Sequence, residues 1–367
     1  MVIGESTMLN GIKVGLGTGG LGGYFTPDFS STDAVLQVLN RALDLGVRFF
    51  DTASNYGGGY AEQLLGKATK GRRDKVIIAT KFGVECRSGR DVRLALDTSL
   101  ARLDTDYVDL YQNHWPNPDA DFEDILNELR LLIDEGKVRR VGLCNMPLND
   151  IKAANIVLQG YLATIQDEYN LLERGTELTV QPFCKENNLS FLAYSPLLGG
   201  RSLQAHSSFR RFHELAQGLD LTVHTLSLLW LMSKPNVIAI PRTGSLDHLI
   251  KNVSCIGKSL REEVVNEINV LFMSHVVKVL PSNIVVVDAH DRTVYKTLEE
   301  ALKNDLNLIP SPIQMSKRFL AGELPKPLKL RRLSEGAYAL VEGRLKYWGW
   351  VIAFGQDGKP IDAIVED

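Results

Sequence analysis

The chain has 367 residues, 44% of them hydrophobic and 23% charged, and its 41 Lys and Arg against 44 Asp and Glu leave a formal net charge of −3. That length exceeds one average domain of about 100–200 residues and suits one large domain joined to a small one. The charge balance argues against a surface that tracks nucleic-acid phosphates, and no apolar run reaches the roughly 18–20 residues of a membrane span.

The opening residues MVIGESTMLN lack the basic and apolar stretches of a secretory signal, so a cytoplasmic location is expected. Short β-rich apolar runs then follow in chain order: Val14 to Thr18, Val47 to Asp51, Val76 to Lys81, Tyr107 to His114, Val138 to Asn145, Ala163 to Glu168, Ser190 to Ser195 and Val237 to Pro241. The segments between them carry helical periodicity, as in Asp33 to Leu45 and Phe122 to Ile133. Strand alternating with helix implies a parallel sheet with right-handed crossovers. Eight such units in about 250 residues predict a closed (β/α)8 TIM barrel, with an open doubly wound sheet as the competitor.

The string GLGTGG at residues 15–20 fits GxGxxG in form only. A dinucleotide fingerprint opens its helix inside the glycine turn, whereas here LGGYFTPDFSS precedes a helix expected to be capped near Ser31 or Thr32. The apolar run Leu226 to Met232 is expected in a buried helix. Four separated cysteines, Cys86, Cys144, Cys184 and Cys255, form no CxxC and are expected as reduced core thiols. The seven histidines make no HxH or HExxH, so no metal centre is expected.

A last barrel-type helix is expected over Leu260 to Phe272, after which the pattern changes. Strand-like Lys278 to Val287, helical Leu298 to Asn304 and Met315 to Ala321, strand-like Leu328 to Leu333 and Ala337 to Val341, and helical Arg344 to Phe354 predict a small α+β module. The expected division is therefore residues 1–274 and 275–367. From residue 276 onward 13 Lys and Arg stand against 12 Asp and Glu, a net of +1 that argues against DNA as a partner.

In such barrels the chemistry lies at the C-terminal ends of the strands. Strand two ends in Asp51 with Tyr56 five residues on, strand three in Lys81 and strand four in His114; the later strands offer Cys144 and Asn145, Gln166, Tyr194 and Ser195, and Arg242 and Thr243. A free tyrosine titrates near 10. A Lys81 cation held by Asp51 is expected to lower that value, making Tyr56 a general acid toward a carbonyl oxygen, with His114 orienting the oxygen or sharing the proton. The cluster lacks a hydride source, which a nicotinamide cofactor would supply, with Tyr194 as an aromatic face and Asn145 and Gln166 as carboxamide partners.

The strings GVRFFDTASNYGGGYAEQLLGKA, VIIATKFG, LDTDYVDLYQNHWPNPD, IDEGKVRRVGLCN, IQDEYNLLER, LAYSPL and IPRTGSLDHLIKN stand in one order over residues 10–255. Through them the chain resembles the aldo-keto reductase superfamily. The resemblance implies a catalytic tetrad of Asp51, Tyr56, Lys81 and His114. It implies cofactor contacts from Gly17, Thr18, Asn145, Gln166, Tyr194, Ser195, Leu197, Arg242, Thr243, His248 and Asn252, with Cys144 where the family usually has Ser. Leu197 belongs to PLLGGR, Pro196 to Arg201, read as a segment that touches the cofactor pyrophosphate or else a flexible loop. At the adenine end His248 and Lys251 replace the family's later Arg and Glu. Arg242 is suited to a 2′-phosphate, so NADP(H) is expected over NAD(H). The implied activity is interconversion of a carbonyl (aldehyde, ketone or ketosugar) and an alcohol, sugar-like substrates included. The alternative is an NADP(H)-binding sensor of reductase fold that signals through the C-terminal module.

KVLPSNIVVVD, PSPIQMSKRFLAGELPKPLKL and GAYALVEGRLKYWGWVIAFG resemble the ParB/sulfiredoxin superfamily over about residues 277–355. In that family a strand-to-helix turn with an acid, a Gly and a basic pair binds phosphate at a helix N-terminus. Here Leu345 interrupts the basic pair, Arg344 and Lys346, and the turn from Glu342 is expected to be structural. The module is expected to close over the barrel mouth, from its own chain or from a partner subunit in a homo-oligomer.

Overall fold

The computed structural model describes residues 9–21, 32–273, 276–287, 295–334 and 336–366. Its chain divides into two compact units, Met1–Phe272 and Met273–Asp367.

The first unit is an eight-stranded parallel sheet in sequential order: β1 (Leu16–Gly17), β2 (Phe49–Asp51), β3 (Ile77–Phe82), β4 (Val108–Asn113), β5 (Val138–Cys144), β6 (Leu162–Glu168), β7 (Ser190–Tyr194) and β8 (Val237–Ala239). Parallel bridges Val14 to Ala239 and Gly17 to Arg242 join the last strand to the first, so the sheet curls into a barrel and the open-sheet competitor falls. Helices α1 (Thr32–Asp44), α2 (Tyr60–Thr69), α3 (Gly89–Leu103), α4 (Phe122–Asp134), α5 (Leu148–Leu158), α6 (Val180–Glu186), α7 (Phe209–Gly218), α8 (Val223–Met232), α9 (Leu246–Val253) and α10 (Glu262–Leu271) complete the unit. Of the expected cap for α1, Thr32 is the first helical residue, and Ser31, with residues 22–30 before it, lies outside the described residues.

Local chemistry explains these elements. In α4 the Asp121 carboxylate accepts the Asp124 N–H, while Ile125, Leu126, Leu129 and Leu132 form a buried stripe. Burying each such side chain stabilises by about 1.5–3 kcal/mol. From Thr225 to Met232, α8 is buried all round, which is why its sequence is apolar on every face. All four cysteines are free and buried.

The second unit is a five-stranded mixed sheet in the order β10-β12-β11-β13-β9, built from β9 (Val276–Val279), β10 (Ile284–Val286), β11 (Leu328–Ser334), β12 (Ala337–Glu342) and β13 (Ile361–Glu366). Its helices are α11 (Leu298–Lys303), α12 (Pro312–Leu320) and α13 (Arg344–Phe354), and its core gathers Phe319, Leu328, Leu330, Leu340, Trp348, Trp350 and Val351. The single strand expected over Lys278 to Val287 is two strands. Pro281 opens a 3-10 turn, Pro281–Asn283, because it has no N–H to give a ladder. α12 starts earlier than its apolar pattern suggests, since Ser311 and Gln314 form a capping box with Pro312 in the first turn. β13 is a strand that the periodicity reading lacked altogether. Gly349 lets α12 and α13 approach, as a Cβ there would stand 2.8 Å from the Met315 Cβ.

Candidate active site

Side chains facing the barrel axis change character along the strands. Phe49, Ala79 and Leu110 share an apolar layer with Leu9 and Ile12. Two residues further along the same strand faces stand Asp51, Lys81 and Gln112, all buried. Backbone bonds continue past the strand ends and hold this polar layer in register. Thr18 N–H donates to Asp51 O (2.8 Å), Ser54 N–H to Lys81 O (3.1 Å), His114 N–H to Phe82 O (3.0 Å) and Asn145 N–H to Gln166 O (2.9 Å).

Lys81 is fully buried, and its Nζ donates to Asp51 Oδ1 (2.6 Å) and to the Thr52 carbonyl (2.8 Å). The other Asp51 oxygen accepts from Gln112 Nε2 (3.2 Å) and Gln166 Nε2 (2.8 Å). A buried carboxylate with a cation and two amide donors is well satisfied. Tyr56 starts a short 3-10 turn, Tyr56–Gly59, in which Gly57, Gly58 and Gly59 all have positive φ, a conformation that Gly adopts without steric penalty. That turn brings the Tyr56 ring to 5.1 Å from Lys81 Nζ. The His114 ring meets it edge-on, with centroids 5.6 Å apart. Asp51, Tyr56, Lys81 and His114 therefore share one cluster.

The electrostatics differ from expectation in one respect. Burial, the largest influence, pushes the Tyr56 phenol up; Lys81 pulls it down without reversing the direction, and Asp51 opposes Lys81. The expected net lowering of Tyr56 is thus corrected: its phenol holds its proton through neutral pH. Burial works against the Lys81 charge, but Asp51 and the other groups around it outweigh burial and move Lys81 upward. His114 is pushed down to about 3, by burial first and Lys81 second, so its imidazole is neutral at neutral pH. Its Nδ1 is buried and has no hydrogen-bond partner among the described residues. Burial also raises the Cys144 thiol, keeping it protonated.

The other anticipated residues fall into groups. Asn145 (φ 59°) and Ser195 (φ 48°) turn the chain at the ends of β5 and β7 in the left-handed region, uncommon for non-glycine residues. Asn145 donates to the His114 carbonyl (3.1 Å) and accepts from the Tyr194 hydroxyl (2.9 Å), which ties both to the cluster. Gly17 is bridged to Arg242, and Arg242 Nη1 donates to the Gly19 carbonyl (3.3 Å). A Cβ on Gly19 would stand 3.4 Å from Tyr56 Cζ, so this segment borders the cluster. Thr18 is fully buried, and Leu197, half-buried, precedes a tight turn at Leu198–Gly200.

Thr243 follows β8, and His248 and Asn252 lie on α9. The Thr243 hydroxyl is engaged with the Ser245 backbone (3.0 and 3.3 Å), which tempers the expectation that it faces a ligand. His248 and Lys251 are exposed and Asn252 is buried. His224 on α8 is pushed down by burial first, then by the charges of His248 and Lys251.

Gln112 lies outside the expected set, although period-two alternation from His114 places it on the inward face. Glu62 and Arg102, which meet through a hydrogen bond at 3.2 Å, carry no such signal. Trp115, 46% exposed, stacks on His114 at 6.1 Å. In the second unit, Glu342 pairs with Lys329 (3.3 Å) and Arg344 donates to the Val287 carbonyl, so both members of the expected turn have structural partners. Among the described residues no His, Cys, Asp and Glu cluster is suited to a metal, and no helix is long and apolar enough to cross a membrane.

The closed parallel barrel thus carries an Asp-held buried lysine beside a tyrosine at its strand ends. The family model described as "Aldo/keto reductase family" matches residues 13–271, and the chain belongs to that family. It is 32% identical to "Probable aldo-keto reductase 1" of Glycine max over 293 residues, 70% of this chain and 84% of that protein. It is 32% identical to "Methylglyoxal reductase YeaE" of Escherichia coli (strain K12) over 239 residues, 65% and 84% of the two chains. Among solved structures, the aldo/keto reductase of Klebsiella pneumoniae in complex with NADP and acetate superposes with a TM-score of 0.65 at 31% identity, covering 71% of this chain and 90% of that one.

Proposed function

We propose that the barrel is a cytoplasmic, NADP(H)-dependent reductase that interconverts a small carbonyl compound, sugar-like or simpler, and its alcohol. The observation that carries this reading is the fully buried Lys81, bonded to Asp51 at 2.6 Å and lying 5.1 Å from the Tyr56 ring. The donor set suits a nicotinamide dinucleotide. Asn145 and Gln166 are primary amides matched to a carboxamide, Tyr194 offers an aromatic face, and Arg242 is exposed with only the Gly19 carbonyl as a hydrogen-bond partner among the described residues. A nicotinamide dinucleotide held by these residues would supply the hydride.

In the reduction direction Tyr56 gives its hydroxyl proton to the substrate oxygen as charge develops there. The Lys81 ammonium stabilises the phenolate left behind, and Asp51, with Gln112 and Gln166, keeps that ammonium aimed at the ring. Neutral His114 orients the carbonyl oxygen without acting as a charged acid. Arg242, with His248 and Lys251 as further basic groups, favours a 2′-phosphate and hence NADP(H) over NAD(H). We read residues 275–367 as a ParB/sulfiredoxin-like module whose Glu342 and Arg344 serve its own fold. Fluorescence titration with NADPH, followed by a carbonyl panel with wild type and Tyr56→Phe, tests the proposal. Turnover of no carbonyl by the wild-type protein would overturn it.

A further inference from the structure

Behind the Tyr56 turn lies a polar group that the mechanism does not use. Glu62, in the first turn of α2, is fully buried. One of its oxygens accepts from Thr80 Oγ1 (2.6 Å), in the residue directly before Lys81, and the other from Arg102 Nη1 (3.2 Å). The same Arg102 nitrogen donates to the Ser54 carbonyl (3.1 Å), between Asp51 and Tyr56. Arg102 arrives from the last turn of α3 and lies flat against Gly59, where a Cβ would stand 2.2 Å from the guanidinium carbon. One ion pair thus touches the strand that carries Lys81, the segment leading to Tyr56 and the glycine that ends its turn.

We infer that Glu62 and Arg102 are positioning residues that set the distance between Tyr56 and Lys81, a role that rests on Tyr56 acting as the proton donor. Three consecutive glycines give the turn no internal rigidity, because each can leave its positive φ freely. The Arg102 guanidinium, fixed by a buried carboxylate, restrains the turn from outside through the Ser54 carbonyl and the face of Gly59. Gly59 is required twice, for its φ of +94° and for the space the guanidinium occupies. A misplacement of about 1 Å in a catalytic group can lower rate by roughly a hundredfold.

The test compares Arg102→Met, Arg102→Lys and Glu62→Gln with Tyr56→Phe in the full chain, using para-nitrobenzaldehyde and NADPH. Arg102 is partly exposed, so its variants carry the result if Glu62→Gln fails to fold. The expected outcome for Arg102→Met is a fall in kcat of about tenfold or more, NADPH affinity within about twofold, a changed pH profile of kcat, and partial recovery in Arg102→Lys. An unchanged kcat overturns the role. A loss of kcat that only follows the folded fraction, with the pH profile intact, overturns it equally. If Arg102→Met is silent while Tyr56→Phe is inactive, the positioning role alone fails; if Tyr56→Phe turns over normally, both readings fail.

Discussion

Replacing Lys81 by Met would leave Asp51 as a buried carboxylate without its cation. The lost contact is short, 2.6 Å, with the lysine side chain fully buried and the aspartate side chain 7% exposed. At an effective dielectric of about 20, the attraction at that distance is roughly 6 kcal/mol before desolvation is counted. Removing one partner of a buried pair costs about 3–5 kcal/mol, because the remaining charge is stranded. Gln112 and Gln166 still donate to the other Asp51 oxygen, which places Lys81→Met near the lower end, about 3 kcal/mol. Adding Asp51→Asn removes the stranded charge, so the double variant is expected to be more stable than Lys81→Met by about 1–2 kcal/mol. Urea unfolding followed by tryptophan fluorescence measures both steps, Trp230 being fully buried in the barrel. A Lys81→Met variant within about 1 kcal/mol of wild type, or a double variant no better than the single one, would refute the reasoning.

Two further predictions follow from the same site. His114 has a folded value of about 3 against 6.5 unfolded, so the unfolded chain binds more protons as pH falls. Its contribution is complete above about 6.5 and is lost toward about 3, reaching about 5 kcal/mol at most, and His114→Gln should flatten that part of the stability profile. An equally steep profile in the variant would contradict this. Arg242→Met should weaken NADPH binding by about 10–100-fold while changing NADH binding by less than about threefold, since a charge-assisted contact is worth about 1.5–3 kcal/mol. Equal losses for the two cofactors in fluorescence titrations would remove Arg242 from the 2′-phosphate.

The barrel was legible because a parallel sheet buried on both faces writes each strand as a short apolar run, and each run ends where a polar side chain meets the mouth. Phe49-Phe50-Asp51 and Ala79-Thr80-Lys81 read that way directly. What escaped was context of two kinds. The net direction of the Tyr56 shift depends on how far burial outweighs a neighbouring cation, and residue order does not report burial. Glu62 and Arg102 are 40 residues apart and meet only once α2 and α3 are packed. In the second unit Pro281 broke a run that reads as one strand. β13 escaped because it finds its partners, β11 and β9, far back in the chain. The capping box at Ser311, by contrast, was readable in the string SPIQ and marks the true start of α12.

The central claim is that Tyr56 delivers the proton in a hydride-transfer reaction. Single-turnover oxidation of enzyme-bound NADPH by para-nitrobenzaldehyde, followed in wild type and Tyr56→Phe, tests it most directly. The account predicts a fall of about 10²–10⁴-fold in the rate with NADPH affinity retained within a few-fold. A Tyr56→Phe rate within about threefold of wild type would contradict it.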